Sequence, residues 1–353
     1  MATVQLPGLI DIHVHLRDPG GTHKEDFSSG TAAALAGGFI GVVDMPNNTP
    51  PVVDKASLAE KLSVASRQAR CDFALYMGAT TDNSANPVTG PHVAGLKMYL
   101  DQTYGPLRVA SLPVLMAHFS SWPEDKPIAV HAEGLSTATA IGLARVYDRH
   151  LHVCHVSRQA EIELIRQAKE MGARISCEVT PHHLFLTEDD ARALGSLSLM
   201  KPTLATLEDQ QALWRNLEVI DAVASDHAPH TLAEKRGDDP PPGVPGLETT
   251  LPLLLNAASA GRLTLERIVR LLRDGPAAVL NLRLPQETYV EVNTEAVWTI
   301  RGSELFTKCG WTPFEGLQVR GRVRKVSLRG SPVYHQGEGV LAAPGSGRPL
   351  VVG

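Results

Sequence analysis

The chain has 353 residues, of which 43% are hydrophobic. This length and apolar content are normal for an α/β barrel with a sizeable core and an added element. The net charge of -5 argues against nucleic acid as the main partner, and no apolar run is long enough to span a bilayer.

Eight short strand-like runs precede residue 226. They are residues 9–15, 40–45, 73–79, 94–100, 128–132, 151–156, 174–179 and 219–225. Most are rich in β-branched residues, as buried parallel strands tend to be. Helix-like stretches lie between most of them, at 24–38, 54–69, 157–172 and 207–218, whereas the third-to-fourth connection is short and poorly helical. Eight such units predict a closed (β/α)8 barrel.

Beyond residue 245 the pattern changes. Residues 246–262 and 264–274 are predicted to form two helices, and the runs TYVEVNT, AVWTI, GRVRKVSLRG and SPVYH are predicted to be short strands. We therefore expect a barrel at 8–285 and a small β-rich accessory domain with a C-terminal tail, formed by 1–7 and 286–353. The tail itself, LAAPGSGRPLVVG, is rich in Gly and Pro and is predicted to be a linker or loose end.

The cysteines are Cys71, Cys154, Cys177 and Cys309, and none belongs to a CxxC pair. That spacing argues against a zinc ribbon. Scattered cysteines in a chain of this length are typical of reduced thiols in a cytosolic protein, and the N-terminal residues show no signal-peptide pattern. We therefore expect a cytoplasmic location.

Polar side chains interrupt strands that should be apolar on both faces, mostly at their C-terminal ends. The six are His13, His15, Lys97, His131, His155 and Asp226. Enzymes with (β/α)8 barrels carry their catalytic residues at this end. Each residue alone could be a hydrogen-bonded core residue, a snorkelling lysine or a helix N-cap. Together they would cost free energy at one end of one barrel unless they are paired, which favours a functional site.

The HxH spacing indicates a metal site. Residues two apart in a strand point to the same face, so His13 and His15 can bind one ion through imidazole nitrogens that suit Zn²⁺. His131 and His155 come from adjacent strands and could hold a second ion. Asp226 could bind the first ion and accept a proton from water.

Lys97 does not fit beside two cations as an ammonium group. Burial and nearby positive charge favour the neutral amine, which can add CO2 to give a carbamate with one negative charge and two oxygens. Those oxygens could bridge two ions about 3.5–4 Å apart. The alternative is an unmodified lysine near a one-metal site.

Longer motifs carry a family resemblance over nearly the whole chain. They are DIHVHLRDPG (11–20), MPNN (45–48), GLKMYL (95–100), HAE (131–133), CHVS (154–157), EVTPHHL (178–184), ASDHAPH (224–230), PGLET (245–249) and WTPFEG (311–316). HxH alone would indicate only a superfamily, whereas HxHxR with MPN and SDHAPH is more specific. The set resembles dihydroorotase, and most closely the dihydroorotase domain of the animal multifunctional pyrimidine-synthesis protein. The resemblance implies a distorted TIM-like (β/α)8 barrel of the amidohydrolase superfamily.

The resemblance also implies two zinc ions bridged by N6-carboxylysine at Lys97. One ion would be bound by His13, His15, Lys97 and Asp226, and the other by Lys97, His131 and His155. The resemblance also makes Cys154 and Glu178 candidates for a third zinc site, because they stand where the animal enzyme has such a site. The alternative for this pair is a buried thiol beside a barrel carboxylate.

Substrate-binding residues follow from the same resemblance. They are Arg17, Asn47 and His230 around the α-carboxylate, together with Lys201 and the mobile-loop residues Thr103 and Tyr104. The planar fork of Arg17 suits a carboxylate. Lys201 stands where animal relatives carry arginine, and a lysine cannot make the same bidentate contact.

The reaction implied is the reversible closure of N-carbamoyl-L-aspartate to L-dihydroorotate in de novo pyrimidine (UMP) biosynthesis. In the hydrolytic direction a zinc-bridged hydroxide would attack, with Asp226 as general acid and base. Another cyclic amidase, a hydantoinase or allantoinase, would share the metal ligands, but Arg17 and Asn47 favour dihydroorotase. A non-catalytic assembly domain of the same superfamily would be expected to have lost metal ligands, whereas all six are present.

Only MATVQL precedes the PGLIDIHVH motif, where separate relatives usually begin with several strands. Either the β element is built almost wholly from the C-terminal part, or the chain is a domain of a larger polypeptide. The animal resemblance favours the second interpretation, with carbamoyl-phosphate synthetase and aspartate transcarbamoylase as covalent neighbours. It also implies a homodimer.

Overall fold

The computed structural model describes residues 3–353, and an eight-stranded parallel sheet forms its centre. After β1 (Thr3–Pro7), the strands of this sheet are β2 (Leu9–Val14), β3 (Phe39–Asp44), β4 (Asp72–Gly78), β5 (Val93–Tyr99), β6 (Ile128–His131), β7 (Leu151–Val153), β8 (Ile175–Val179) and β9 (Ala222–Val223). Strands adjacent in the chain are adjacent in the sheet, as in a (β/α)8 barrel. The eight predicted strands are confirmed, although β9 is much shorter than the predicted run.

The sheet is nearly closed into a barrel. Val14 at the end of β2 forms a parallel bridge with His227, and the backbone N–H of His15 donates to the His227 carbonyl at 2.8 Å. No ladder joins β2 to β9 within residues 3–353. The barrel is therefore distorted at this seam, which lies at the end that carries the polar residues.

Helices surround the sheet. They are α1 (Phe27–Ala36), α2 (Lys55–Gln68), α3 (Leu112–Ser121), α4 (Leu135–Tyr147), α5 (Gln159–Glu170), α6 (Pro181–Phe185), α7 (Glu188–Leu194), α8 (Leu207–Arg215), α9 (Leu232–Lys235), α10 (Leu247–Ser259), α11 (Leu265–Val269) and α12 (Gly275–Val279). The predicted helices are confirmed with shorter bounds, because N-cap residues such as Asp26 and Asp54 fix where they begin. The predicted helix at 264–274 becomes α11 and a π-helical turn. None of these helices in residues 3–353 has the length and apolarity needed to cross a membrane.

A second sheet lies outside the barrel. The remaining strands are β10 (Leu282–Arg283), β11 (Tyr289–Thr299), β12 (Gln318–Leu328), β13 (Ser331–His335), β14 (Gly339–Val340) and β15 (Val351–Val352). Five strands form an antiparallel sheet in the order β1-β11-β12-β13-β14. The N-terminal residues therefore supply one strand to an element built mainly from the C-terminal part. TYVEVNT and AVWTI belong to one strand, and the residues between Asn293 and Val297 form an irregularity in its register with β12.

The prediction of a loose C-terminal tail is wrong. The Phe73 N–H of β4 donates to the Arg348 carbonyl at 3.0 Å, and the Leu350 N–H donates back to the Phe73 carbonyl at 2.6 Å. Leu350 is buried, and β15 pairs with β10. A Cβ at Gly347 would lie 2.0 Å from the Cys71 carbonyl oxygen, so glycine permits this close approach. Glycine in the tail therefore allows it to pack closely against the barrel and does not indicate a flexible segment.

Candidate active site

The C-terminal ends of the barrel strands bring five of the predicted metal-binding side chains into mutual contact. Asp226 Oδ1 lies 3.1 Å from His15 Nε2 and 3.3 Å from His13 Nε2. Nδ1 of His131 lies 2.9 Å from Nε2 of His155. The ring centroids of His13 and His155 are 5.3 Å apart, which joins the two pairs. One continuous cluster of nitrogen and oxygen donors results.

The backbone at this end adopts conformations that side-chain-bearing residues rarely use. Arg17 has φ 63°, His155 has φ 37° and Asp226 has φ 45°. Left-handed conformations cost non-glycine residues free energy and persist where the surrounding structure enforces them. Three predicted site residues share this conformation, which is typical of residues whose side chains are held in a functional site.

Lys97 lies within β5 and is completely buried. Its Nζ lies 2.9 Å from Cys154 Sγ and 5.3 Å from the centre of the Tyr99 ring. Among residues 3–353, no carboxylate lies within ion-pairing distance of this Nζ. A buried amine without a paired carboxylate is costly in free energy unless another group satisfies it.

A second donor group adjoins the first. His13, Cys154 and Glu178 each offer a ligand atom, and these atoms all lie within 4.8 Å of one another. The carboxylate of Glu178 contacts His13 Nδ1 and accepts from His152 Nε2 at 3.1 Å. The third-metal pair of the sequence analysis is therefore found together, with His13 shared between both groups.

Protonation within the cluster follows burial and charge. Burial opposes ionisation of Asp226, but His13 and His15 hold its pKa well below the usual range. Burial lowers the pKa of His15 to about 4, and burial together with His131 holds the pKa of His155 well below its usual range. Neutral imidazoles and an ionised carboxylate are the forms that bind metal ions.

The donor set fits a metal ion. Nδ1 of His155 is buried, and within the described part of the chain it has no hydrogen-bond partner. His13 differs from the other histidines: burial opposes its ionisation, but Glu178 raises its pKa to about 10. Metal binding at His13 must therefore release a proton. An unpartnered buried nitrogen beside an ionised carboxylate is the arrangement that a cation would satisfy.

Predicted substrate residues form the wall beside this cluster. Arg17 donates from Nε to the Pro229 carbonyl at 3.1 Å, and its guanidinium lies 5.2 Å from the centre of the Tyr104 ring. Asn47 accepts through Oδ1 at 2.7 Å from His15 Nδ1 and donates to the Tyr104 carbonyl at 3.1 Å. The ring of His230 packs edge-on against Tyr104 at 5.1 Å. Tyr104 at the tip of the loop therefore contacts the three residues that are predicted to bind the carboxylate.

The cavity above the cluster is small, at about 30 Å³, and Thr103 and Lys201 also line it. A larger cavity of about 280 Å³ adjoins it and shares Arg17, Asn47 and Tyr104 as lining residues. Tyr104 therefore lies at the border of the two spaces, together with His15, Arg17 and Asn47.

Two residues of the site were missed in the sequence. Lys24 Nζ lies 3.0 Å from both His230 Nδ1 and Glu234 Oε1, and it donates to the Tyr104 hydroxyl at 3.2 Å. His152 holds Glu178, as described above. His152 could have been found, because it lies two residues before Cys154 and so on the same strand face. Lys24 lies in a loop, where no periodicity marks it.

Known proteins resemble this chain over nearly its whole length. A family model described as "Dihydro-orotase-like" matches residues 2–98. The multifunctional protein CAD of Squalus acanthias is 51% identical over 349 residues, which cover 98% of this chain and 16% of that protein. A dihydroorotase of Pyrococcus furiosus is 35% identical over 354 residues, which cover 95% of this chain and 82% of that enzyme. The chain thus spans 16% of the length of its multifunctional relative.

Solved structures share the fold. An L-hydantoinase from Arthrobacter aurescens superposes with a TM-score of 0.92 at 26% identity, covering 99% of this chain and 89% of that one. An inactive dihydroorotase-like domain of a CAD-like protein from Chaetomium thermophilum gives a TM-score of 0.83 at 28% identity and covers 99% of both chains. Proteins with this fold therefore include enzymes with other activities and a domain that has no activity.

Proposed function

We propose that this chain, which belongs to the dihydroorotase family, catalyses the reversible closure of N-carbamoyl-L-aspartate to L-dihydroorotate in pyrimidine synthesis. The observation that carries the proposal is the donor cluster of His13, His15, His131, His155 and Asp226 beside Arg17 and Asn47. A barrel retained only as a scaffold would not need this set of buried polar groups.

The cluster would hold two zinc ions, with Lys97 carboxylated between them. When bound, such ions supply Lewis-acid polarisation of the amide carbonyl and activation of water. If a third ion binds, Cys154 and Glu178 would hold it together with His13. The lowered pKa values of His15 and His155 and the ionised Asp226 described above support these assignments.

Asp226 would move the proton. Its pKa is held well below the usual range, so it is a carboxylate at neutral pH and can accept a proton from the attacking water. In hydrolysis it would then pass that proton to the ring nitrogen as the amide bond breaks. In ring closure it would take the proton from the carbamoyl nitrogen. Both directions use the same carboxylate.

Arg17, Asn47 and His230 would bind the α-carboxylate, with Lys201 adding positive charge and Thr103 and Tyr104 closing above the substrate. Two divalent ions with one carbamate and Asp226 leave net positive charge, which also attracts an anionic substrate. The contacts of Asn47 with both His15 and Tyr104 support this arrangement, because they connect the donor cluster to the loop.

Replacing Arg17 with alanine is expected to raise the KM for dihydroorotate by about tenfold or more, because a charge-assisted contact with the carboxylate is lost. kcat should change much less, since Arg17 does not touch the reacting amide in this proposal. Steady-state kinetics measures both constants. An unchanged KM would contradict the assignment of Arg17.

The function itself is tested by offering purified, zinc-loaded protein three cyclic amides: L-dihydroorotate, hydantoin and allantoin. We expect turnover of dihydroorotate only, because only this substrate carries the carboxylate that Arg17 and Asn47 would bind. Preferential turnover of hydantoin would favour the activity named for the structural relative from Arthrobacter aurescens. Turnover of none of the three would favour a non-catalytic role, as in the inactive domain from Chaetomium thermophilum.

Assembly forms part of the same proposal. We propose a cytoplasmic homodimer with the catalytic barrel at 8–285 and the accessory β domain at 1–7 and 286–353. Fusion to carbamoyl-phosphate synthetase and aspartate transcarbamoylase is supported by the multifunctional relatives that match nearly the whole chain.

A further inference from the structure

A second group of buried charges lies next to the carboxylate-binding side chains but outside the donor cluster. Lys61 of α2 is completely buried, and its Nζ lies 2.6 Å from Asp44 Oδ2. The same Nζ donates to the Met45 carbonyl at 2.7 Å and to Oδ1 of Asn48. Asp44 is also completely buried. The Lys61 amine therefore has three oxygen partners, one on the last residue of β3 and two on the segment that follows it.

The carboxylate of Asp44 reaches the neighbouring strand end. Its Oδ1 accepts from the backbone N–H of Leu16 at 2.8 Å. Leu16 immediately precedes Arg17, whose φ of 63° requires the surrounding structure to hold it. The Met45 N–H also donates to the Val14 carbonyl at 2.9 Å. One ion pair thus connects the chain before Arg17 to the chain on both sides of Asn47.

We propose that Lys61 and Asp44 are positioning residues that hold Arg17 and Asn47 at the spacing needed to bind the substrate carboxylate. This inference rests on the proposed role of Arg17 and Asn47. Neither Lys61 nor Asp44 lines either cavity of the site, so they would act through the two binding side chains.

If Lys61 and Asp44 had only a structural role, replacing them would affect folding and leave carboxylate binding unchanged. Buried ion pairs contribute little net stability compared with well-packed apolar side chains of similar volume, so replacing both partners together is compatible with folding. What apolar side chains cannot replace is the set of directed contacts to Leu16, Met45 and Asn48. A displacement of about 1 Å in a binding group can cost about 100-fold in function. The expected loss is therefore in carboxylate binding more than in folding.

The test compares the double variant Asp44→Leu/Lys61→Met with the wild-type protein and with Lys126→Met. Lys126 is a matched control, because it is also buried and donates from Nζ to a backbone carbonyl, that of Val93, at 2.9 Å. It lies at the opposite end of the barrel, beside the start of β5 and β6. Binding is measured by calorimetry with orotate. This ligand carries the same carboxylate on a similar ring, but its ring amide is not hydrolysed. kcat and KM for dihydroorotate are measured in parallel.

The double variant is expected to raise the Kd for orotate and the KM for dihydroorotate by about tenfold or more, with kcat within about threefold of wild type. Lys126→Met should leave Kd and KM unchanged. Should the double variant fail to fold, Lys61→Arg retains the charge but cannot keep the same three contacts, and it should also raise Kd.

The outcomes separate the two proposals. An unchanged Kd in a folded double variant, or in Lys61→Arg, would overturn the positioning role. Wild-type protein that binds orotate but does not turn over dihydroorotate would overturn the proposed function, while weaker binding in the double variant would still support the positioning role. Wild-type protein that neither binds orotate nor turns over dihydroorotate would overturn both.

Discussion

Replacing Lys97 with alanine is expected to abolish turnover of dihydroorotate, with a loss of about 10³-fold or more in kcat. The variant should also retain only one zinc per chain, because the bridging carboxylate that Lys97 would provide is lost. Lys97 is completely buried, so no neighbouring surface side chain can take its place. Kinetics and elemental analysis of the same sample measure the two effects.

The matched control is Lys126→Ala, which also removes a buried lysine amine from the barrel, but at the opposite end. It should keep both the metal content and the turnover of the wild-type protein. Normal turnover in Lys97→Ala would remove the bridging role and favour a plain lysine beside a one-metal site. Lost activity in both variants would indicate that barrel integrity, and not Lys97, had been tested.

Asp226→Asn is expected to lower kcat by about 10²- to 10⁴-fold, the usual contribution of a general acid and base. The amide keeps the shape and one oxygen of the carboxylate, so most of the bound metal should remain. It cannot accept a proton, which separates the catalytic role of Asp226 from its contacts with His13 and His15. Metal content and kcat are measured together.

A control for the same chemical change is Asp221→Asn. Asp221 is a barrel carboxylate that accepts from the Cys177 N–H at 2.8 Å and pairs with Lys169, near the start of the last strands. It has no place in the proposed mechanism, so turnover should stay close to wild type. If Asp226→Asn itself retained a near-normal rate with full metal content, another group would have to carry the proton.

The barrel was predictable because its signal is repeated along the chain. Eight apolar runs and the helices between them were found from periodicity and length alone. The donor cluster followed from the same reasoning, since polar residues such as His131 and His155 stand out at the ends of buried strands. Asp44 ends β3 in the same way, directly before the MPNN motif, but the sequence does not show that its carboxylate pairs with Lys61.

Other features could not be read from the sequence because they depend on contacts between distant segments. Lys61 lies on a helix whose pattern gives no reason to expect its amine inside the molecule. Lys24 gains its partners Glu234 and His230 only when two barrel loops meet. The tail was misjudged because its glycines and prolines resemble a flexible segment, although Leu350 is buried against the barrel.

The metal dependence of the site is tested most directly by a zinc titration of metal-free protein, with dihydroorotate turnover measured at each step. We predict no turnover without metal, and activity that rises until about two zinc ions are bound per chain. A third equivalent would be expected only if Cys154 and Glu178 bind metal. Full turnover of dihydroorotate in the metal-free protein, or two bound zinc ions with no turnover, would contradict this prediction.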